Sequence, residues 1–121
     1  VIMSIGQTSS QQPELQFEIG STNIMRALMY SSATDSATRQ GLDMINPIVS
    51  NRWYTIGFMM YNSGGLRARC YVDGEQVIDQ AITQPWNSTA GFCIGSDNSN
   101  ISGFTGSIRR LSIGQSLFWK I

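Results

Sequence analysis

Leu66-Arg67-Ala68-Arg69-Cys70-Tyr71-Val72, then Asp73-Gly74, then Glu75-Gln76-Val77-Ile78-Asp79-Gln80-Ala81-Ile82 is the stretch that decides the fold. Residues 66–72 and 76–82 are strand-length runs, and Asp-Gly supplies the positive φ angles that a tight hairpin turn requires. Outward from this hairpin the signals stay strand-like. Just before it, residues 53–61 are apolar on both faces, with Trp53, Met59 and Tyr61 against Tyr54, Ile56, Phe58 and Met60. Such a run predicts a central strand covered on both sides. Residues 15–19 alternate cleanly and stop at Gly20, residues 24–30 form a Met-rich apolar stretch, and residues 91–95 and 107–113 read as two more strands. No segment sustains a helical period for three turns. In the last strand a bulge at Arg109-Arg110 would put Ile108, Leu111 and Ile113 all inward. Neutral polar loops fill 8–12, 31–40, 62–65, 84–90 and 96–103. The expected fold is an all-β, antiparallel two-sheet sandwich.

Composition narrows the functions open to such a fold. The 121 residues carry 8 basic and 8 acidic side chains, no His and two Cys. That length suits a single domain, 1–121. Ser, Thr, Asn and Gln supply 40 residues, so the polarity is mostly neutral. Zero net charge without a Lys/Arg cluster argues against nucleic-acid binding. No apolar run reaches the roughly 18 residues of a membrane span, so no membrane insertion is expected. The absence of His excludes Ser-His-Asp and Cys-His catalysis and any His-ligated zinc. The chain begins at Val1 rather than Met, so it is expected to be a processed product or a fragment of a longer chain.

Four segments in order carry a resemblance. Arg52-Trp53-Tyr54-Thr55-Ile56, Tyr71-Val72-Asp73-Gly74, Ile94-Gly95 and Phe104-Thr105-Gly106-Ser107-Ile108, ending at Leu117, resemble the laminin-G-like, concanavalin A-like jelly roll. The match runs from about Asn51 to Leu117. The resemblance implies further strands ahead of Val1 that pair with the closing strand. Their absence predicts an exposed sheet edge in contact with another chain or segment. The glucanases that share this fold carry Glu-x-Asp-x-Glu on a strand. Here Glu14 and Glu18 are four apart, and Asp73 and Glu75 flank a turn glycine, so the expectation is no enzyme.

Candidate sites fall mainly on loops. Asp97, Asn98 and Asn100 follow the Ile-Gly strand, near where the calcium-binding relatives of this fold, including the pentraxins, place ligands. Ca²⁺ would need further carboxylates, from Asp35 or Asp43, or backbone carbonyls. The bland reading is a turn-rich loop bonded to its own backbone. Trp86 and Asn87 lie in the loop Gln84-Pro85-Trp86-Asn87, where a ring could stack on a sugar while amides bond hydroxyls. Against that, Trp86 could plug one end of the sandwich. Arg67 and Arg69 alternate with Ala68 and Cys70 and so share one face, where they could grip acidic sugars or a partner carboxylate, or simply solvate the sheet. Cys70 and Cys93 lie on different strands, with a disulfide and two buried thiols both open.

The functional expectation is a non-catalytic recognition module, extracellular or on a virion surface, that binds glycans or surface proteins. The alternative is a structural subunit or appendage domain of a virion or tail fibre, in contact only with neighbouring subunits.

Overall fold

A computed structural model describes residues 2–6, 11–86, 92–95 and 104–111. Among the described residues eight strands form: β1 (Met3–Ile5), β2 (Leu15–Ile19), β3 (Met25–Tyr30), β4 (Arg39–Ile45), β5 (Ile56–Asn62), β6 (Leu66–Val72), β7 (Glu75–Ala81) and β8 (Phe92–Ile94). They build two antiparallel sheets, one ordered β4-β3-β2-β1-β8 and one ordered β5-β6-β7. The all-β, two-sheet sandwich read from the sequence is therefore the observed architecture. Asp73 and Gly74 take φ angles of 51° and 84°, the paired positive values of a two-residue hairpin turn.

Alternation explains the core. Leu15, Phe17, Met25, Ala27, Met29 and Leu42 face the second sheet, which answers with Ala68 and Cys70. The small side chains Ala27, Ala68 and Cys70 are fully buried between the sheets, and β4 lies against β6 and β7. Full burial of a residue such as Leu42 stabilises by about 1.5–3 kcal/mol. Gln40 straps this end: its Nε2 donates to the Ala81 carbonyl at 3.2 Å, and its Oε1 accepts from Thr83 N–H at 2.8 Å. The other face of the five-stranded sheet carries the lateral row Cys93, Ser4, Gln16, Leu28 and Gly41. A Cβ at Gly41 would meet the Leu28 Cδ2 methyl at 3.3 Å, a tight contact to which the Leu28 side chain would have to yield.

Three expectations are corrected. First, among the described residues β5 is an edge strand, paired with β6 alone, and it begins at Ile56 rather than Trp53. Apolar character on both faces measures what could cover a strand, not how many neighbours it has. Second, β4 was unforeseen, and its first residues fall inside the expected 31–40 loop. A short 3₁₀ turn, Ser36–Thr38, precedes it, with the Asp35 carboxylate accepting from Ala37 N–H at 2.9 Å. Third, residues 107–111 of the expected closing strand form no strand, while residues 112–113 lie outside the described set.

Candidate functional site

The smaller sheet packs on the larger one with β4 against β6 and β7, and with Phe58 of β5 against Phe17 of β2. Beyond β5 the sandwich opens into a cleft of about 1900 Å³, lined by the larger sheet, by β5, by residues 48–55 and by residues 104–111. Exposed Val49, Trp53, Met60, Ile94, Ile108 and Leu111 all line it. Apolar surface gathered in this way marks a binding or assembly surface more often than scattered exposure does.

One rim of the cleft is polar and aromatic. Asp73, at the hairpin tip, accepts from Arg52 Nη2 at 2.7 Å through Oδ2 and from Thr55 N–H at 2.9 Å through Oδ1. These bonds tie the turn to the segment that leads into β5. The Arg52 guanidinium lies 4.5 Å from the Tyr54 ring centre, and the Tyr54 hydroxyl accepts from Val49 N–H at 2.9 Å. Trp53, held between these anchored neighbours, is 58% exposed and carries the Arg109 guanidinium 4.8 Å from its ring centre. Rigid exposed indole beside guanidinium can stack on an apolar sugar face while offering donors to its hydroxyls or acids. Sequence reasoning placed Trp53 inside a strand and missed it as a surface residue. The available signal was Arg52-Trp53-Tyr54 directly before an apolar run.

Arg67 and Arg69 do share one face, the outer face of the smaller sheet, but they do not stand alone. Register sets Asp79 opposite Arg69 and Tyr61 opposite Arg67. Arg67 Nε donates to Asp79 Oδ1 at 3.1 Å and to the Tyr61 hydroxyl at 3.2 Å, and Arg67 Nη2 donates to the Asp79 carbonyl at 3.2 Å. Arg69 Nε donates to Asp79 Oδ2 at 3.0 Å, and its guanidinium lies 4.4 Å from the Tyr61 ring centre. The Tyr61 hydroxyl donates to Asp79 Oδ1 at 2.6 Å. That donation, then the Arg69 and Arg67 bonds, holds the Asp79 carboxyl at about 2. Hydrogen bonding raises both arginines above their ordinary range, Arg67 through Tyr61 first and Arg69 through Asp79 first.

Trp86 is half-buried, and its backbone N–H donates to the Tyr30 carbonyl at 3.0 Å. Its indole Nε1 is buried without a hydrogen bond to the described residues. Asn87, Asp97, Asn98 and Asn100 lie outside the described residues. Among the described residues no three Asp, Glu, Cys or His side chains come together. Asp35 is committed to its cap, and Asp43 pairs in register with Arg26. Cys70 and Cys93 are not joined in a disulfide. They sit in different sheets, Cys70 in the core and Cys93 on the far face opposite Ser4. Burial pushes the Cys70 thiol up to about 12.

No helix among the described residues is long and apolar enough to cross a membrane. No match was found among curated proteins or solved structures. A laminin G-type family model, described as concanavalin A-like lectin/glucanases superfamily, matches residues 1–117, well beyond the 51–117 region that carried the resemblance. Together with the two-sheet sandwich, this match establishes that the chain belongs to the concanavalin A-like lectin/glucanases superfamily.

Proposed function

We propose that this chain is a non-catalytic recognition module that binds glycans or surface proteins, outside a cell or on a virion surface. The fold is of a carbohydrate- or protein-binding kind. The observation that carries the finer reading is the outward-facing Trp53, stacked with Arg109 and braced by the Arg52–Asp73 pair at the mouth of the cleft. The carboxylates support the non-catalytic half of the reading. Glu18 is bonded to Arg26, Asp73 to Arg52, and Asp79 to Arg67, Arg69 and Tyr61. A glycosidase acid must hold its proton near neutrality, and Asp79 is driven the other way.

A broad glycan array, run with millimolar Ca²⁺ and again with a chelator, tests this. Expected is binding that Trp53→Ala weakens at least tenfold, about 1.4 kcal/mol. Binding lost on chelation would bring Asp97, Asn98 and Asn100 into the site as calcium ligands. Loss in Trp86→Ala or Asn87→Ala alone would move the site to that loop, and loss in Arg67→Ala or Arg69→Ala alone would move it to the outer face. The open apolar cleft favours the second reading, a structural subunit of a virion or tail fibre. Folded protein that binds no glycan, yet co-assembles with neighbouring subunits through the cleft, would decide for it.

A further inference from the structure

We propose that the cleft binds a single long-chain amphiphile, with the alkyl chain between the sheets and an acidic head group on the arginines at one end. The composition of the lining is the first observation. Among the described residues seven large apolar side chains are left exposed, and all but Val77 line this cleft. Apolar surface gathered in one place gains by burial against an equally apolar ligand. The charged side chains that line the cleft are Arg52, Arg109 and Arg110, with no Asp or Glu beside them among the described residues. The whole chain carries as many acids as cations, so this one-sided charge is a matter of placement.

The second observation is that the cleft is polarised. Leu15, Phe17 and Ile19, alternate residues of β2, lie along its floor. Four steps of strand span about 13 Å, the reach of a medium-length alkyl chain. In the turn after β2, the Asn23 carbonyl accepts from Ile48 N–H at 2.7 Å, which pins the start of segment 48–55 at the Ile19 end. Arg52 belongs to that segment, and Arg109 stacks on its Trp53. Arg52 is paired with Asp73, whereas Arg109 and Arg110 have no ion-pair partner among the described residues. A guanidinium fork suits a carboxylate or a phosphate, and an apolar wall that excludes water strengthens the attraction.

The floor favours an alkyl chain over a segment of protein. β2 is hydrogen-bonded to β1 on one side and to β3 on the other, so it offers the cleft side chains only. A peptide laid along that floor would bring N–H and C=O groups that find no partner there. An alkyl chain carries no such cost. The head group is acidic because all three charges are positive, and a carboxylate and a phosphate share that chemistry. This ligand goes beyond the glycan reading, and neither depends on the other.

Isothermal titration calorimetry on the full chain, with each probe present as free monomer, tests the site. Hexanoate, octanoate and decanoate should bind progressively tighter, by about fourfold for each methylene added. Decyl phosphate should bind like decanoate, and decyltrimethylammonium at least tenfold more weakly. In NMR spectra of the methionine methyls, decanoate should shift Met3 and Met60, which line the cleft, and leave Met29 and Met44, which do not. The double variant Arg109→Gln, Arg110→Gln should weaken decanoate at least tenfold and leave uncharged decanol unchanged. Met60→Asp should weaken both. If a variant fails to fold, the wild-type chain-length series and methyl shifts decide. A flat chain-length series would overturn the proposal, as would a cationic probe that binds as well as decanoate, or shifts confined to Met29 and Met44. Binding to anionic vesicles without binding to monomers would overturn it in favour of a bilayer surface. No binding of any probe would overturn it too, and a dimer in sedimentation would then name a second copy as the occupant.

Discussion

Two groupings of arginine, aromatic ring and aspartate belong to the smaller sheet, and strand geometry leaves them in opposite states. On its outer face Asp79 lies across from Arg69 and next to Arg67, so one carboxylate draws in both guanidiniums and the Tyr61 hydroxyl. At the hairpin end the carboxylate belongs to a turn residue. Asp73 takes Arg52 and a backbone N–H, and leaves Arg109 lying on an exposed Trp53. The residue types are the same, but the first set is spent on holding the sheet and the second keeps a ring and a cation facing solvent. On the proposed reading, the recognition surface comes from where the acid sits along the hairpin, not from how many arginines are present.

The contrast can be broken at its base. Phe17 and Phe58 meet edge-to-face, ring centres 5.5 Å apart, and join the larger sheet to β5 beneath the rim. Phe17→Ala should cost about 3–5 kcal/mol in urea unfolding. A cost under about 1 kcal/mol would mean that the rim does not stand on that contact. Next in size, Asp79→Ala should lower Tm by several degrees near neutrality, because two arginines lose their shared acceptor. The Asp79 carboxyl is held below its ordinary value, so its contribution is present above about pH 4 and is lost as pH falls toward about 2. The Tm gap between wild type and variant should close over that window, and a gap unchanged at pH 2 would refute the assignment. Asp73→Asn, which tolerates the positive φ, should cost under about 1 kcal/mol as an exposed ion pair.

Thiol labelling sharpens the comparison from below. Cys70 lies on the buried side of the strand that carries Arg67 and Arg69. In native protein at pH 8 it should react only as fast as the chain unfolds, while the half-buried Cys93 reacts sooner. Since burial raises the Cys70 thiol to about 12, its ionisation favours the unfolded chain. Stability should therefore decline as pH rises from about 9 toward 12. The smallest stability effect belongs to Trp53→Ala, within about 0.5 kcal/mol as an exposed residue, with the quenchable fluorescence of an exposed indole removed.

What was legible follows the range of the interaction. The Asp73-Gly74 turn is local chemistry, and it formed where the residues required it. The shared face of Arg67 and Arg69 follows from strand alternation. Their capture by Asp79 depends on register, including the irregularity between Cys70 and Tyr71, which no single strand encodes. β4 was hidden because Arg39, Gly41 and Asp43 interrupt its apolar pattern, and the close approach of Leu28 to Gly41 exists only in the folded sheet. β5 was misplaced at the centre because its composition suits a strand with two neighbours, whereas among the described residues it has one. Trp53 was missed as a site residue for the same reason, as a member of that supposedly covered strand.

The most direct test of the central claim, that the rim and not the outer face is the recognition surface, is a parallel binding measurement. Wild type, Trp53→Ala and the double variant Arg67→Ala, Arg69→Ala would be run on one array of glycans and extracellular proteins, each first shown to be folded by circular dichroism. The account predicts at least tenfold weaker binding for Trp53→Ala and near-wild-type binding for the arginine pair. Full binding by Trp53→Ala, with loss in the arginine pair, would contradict it.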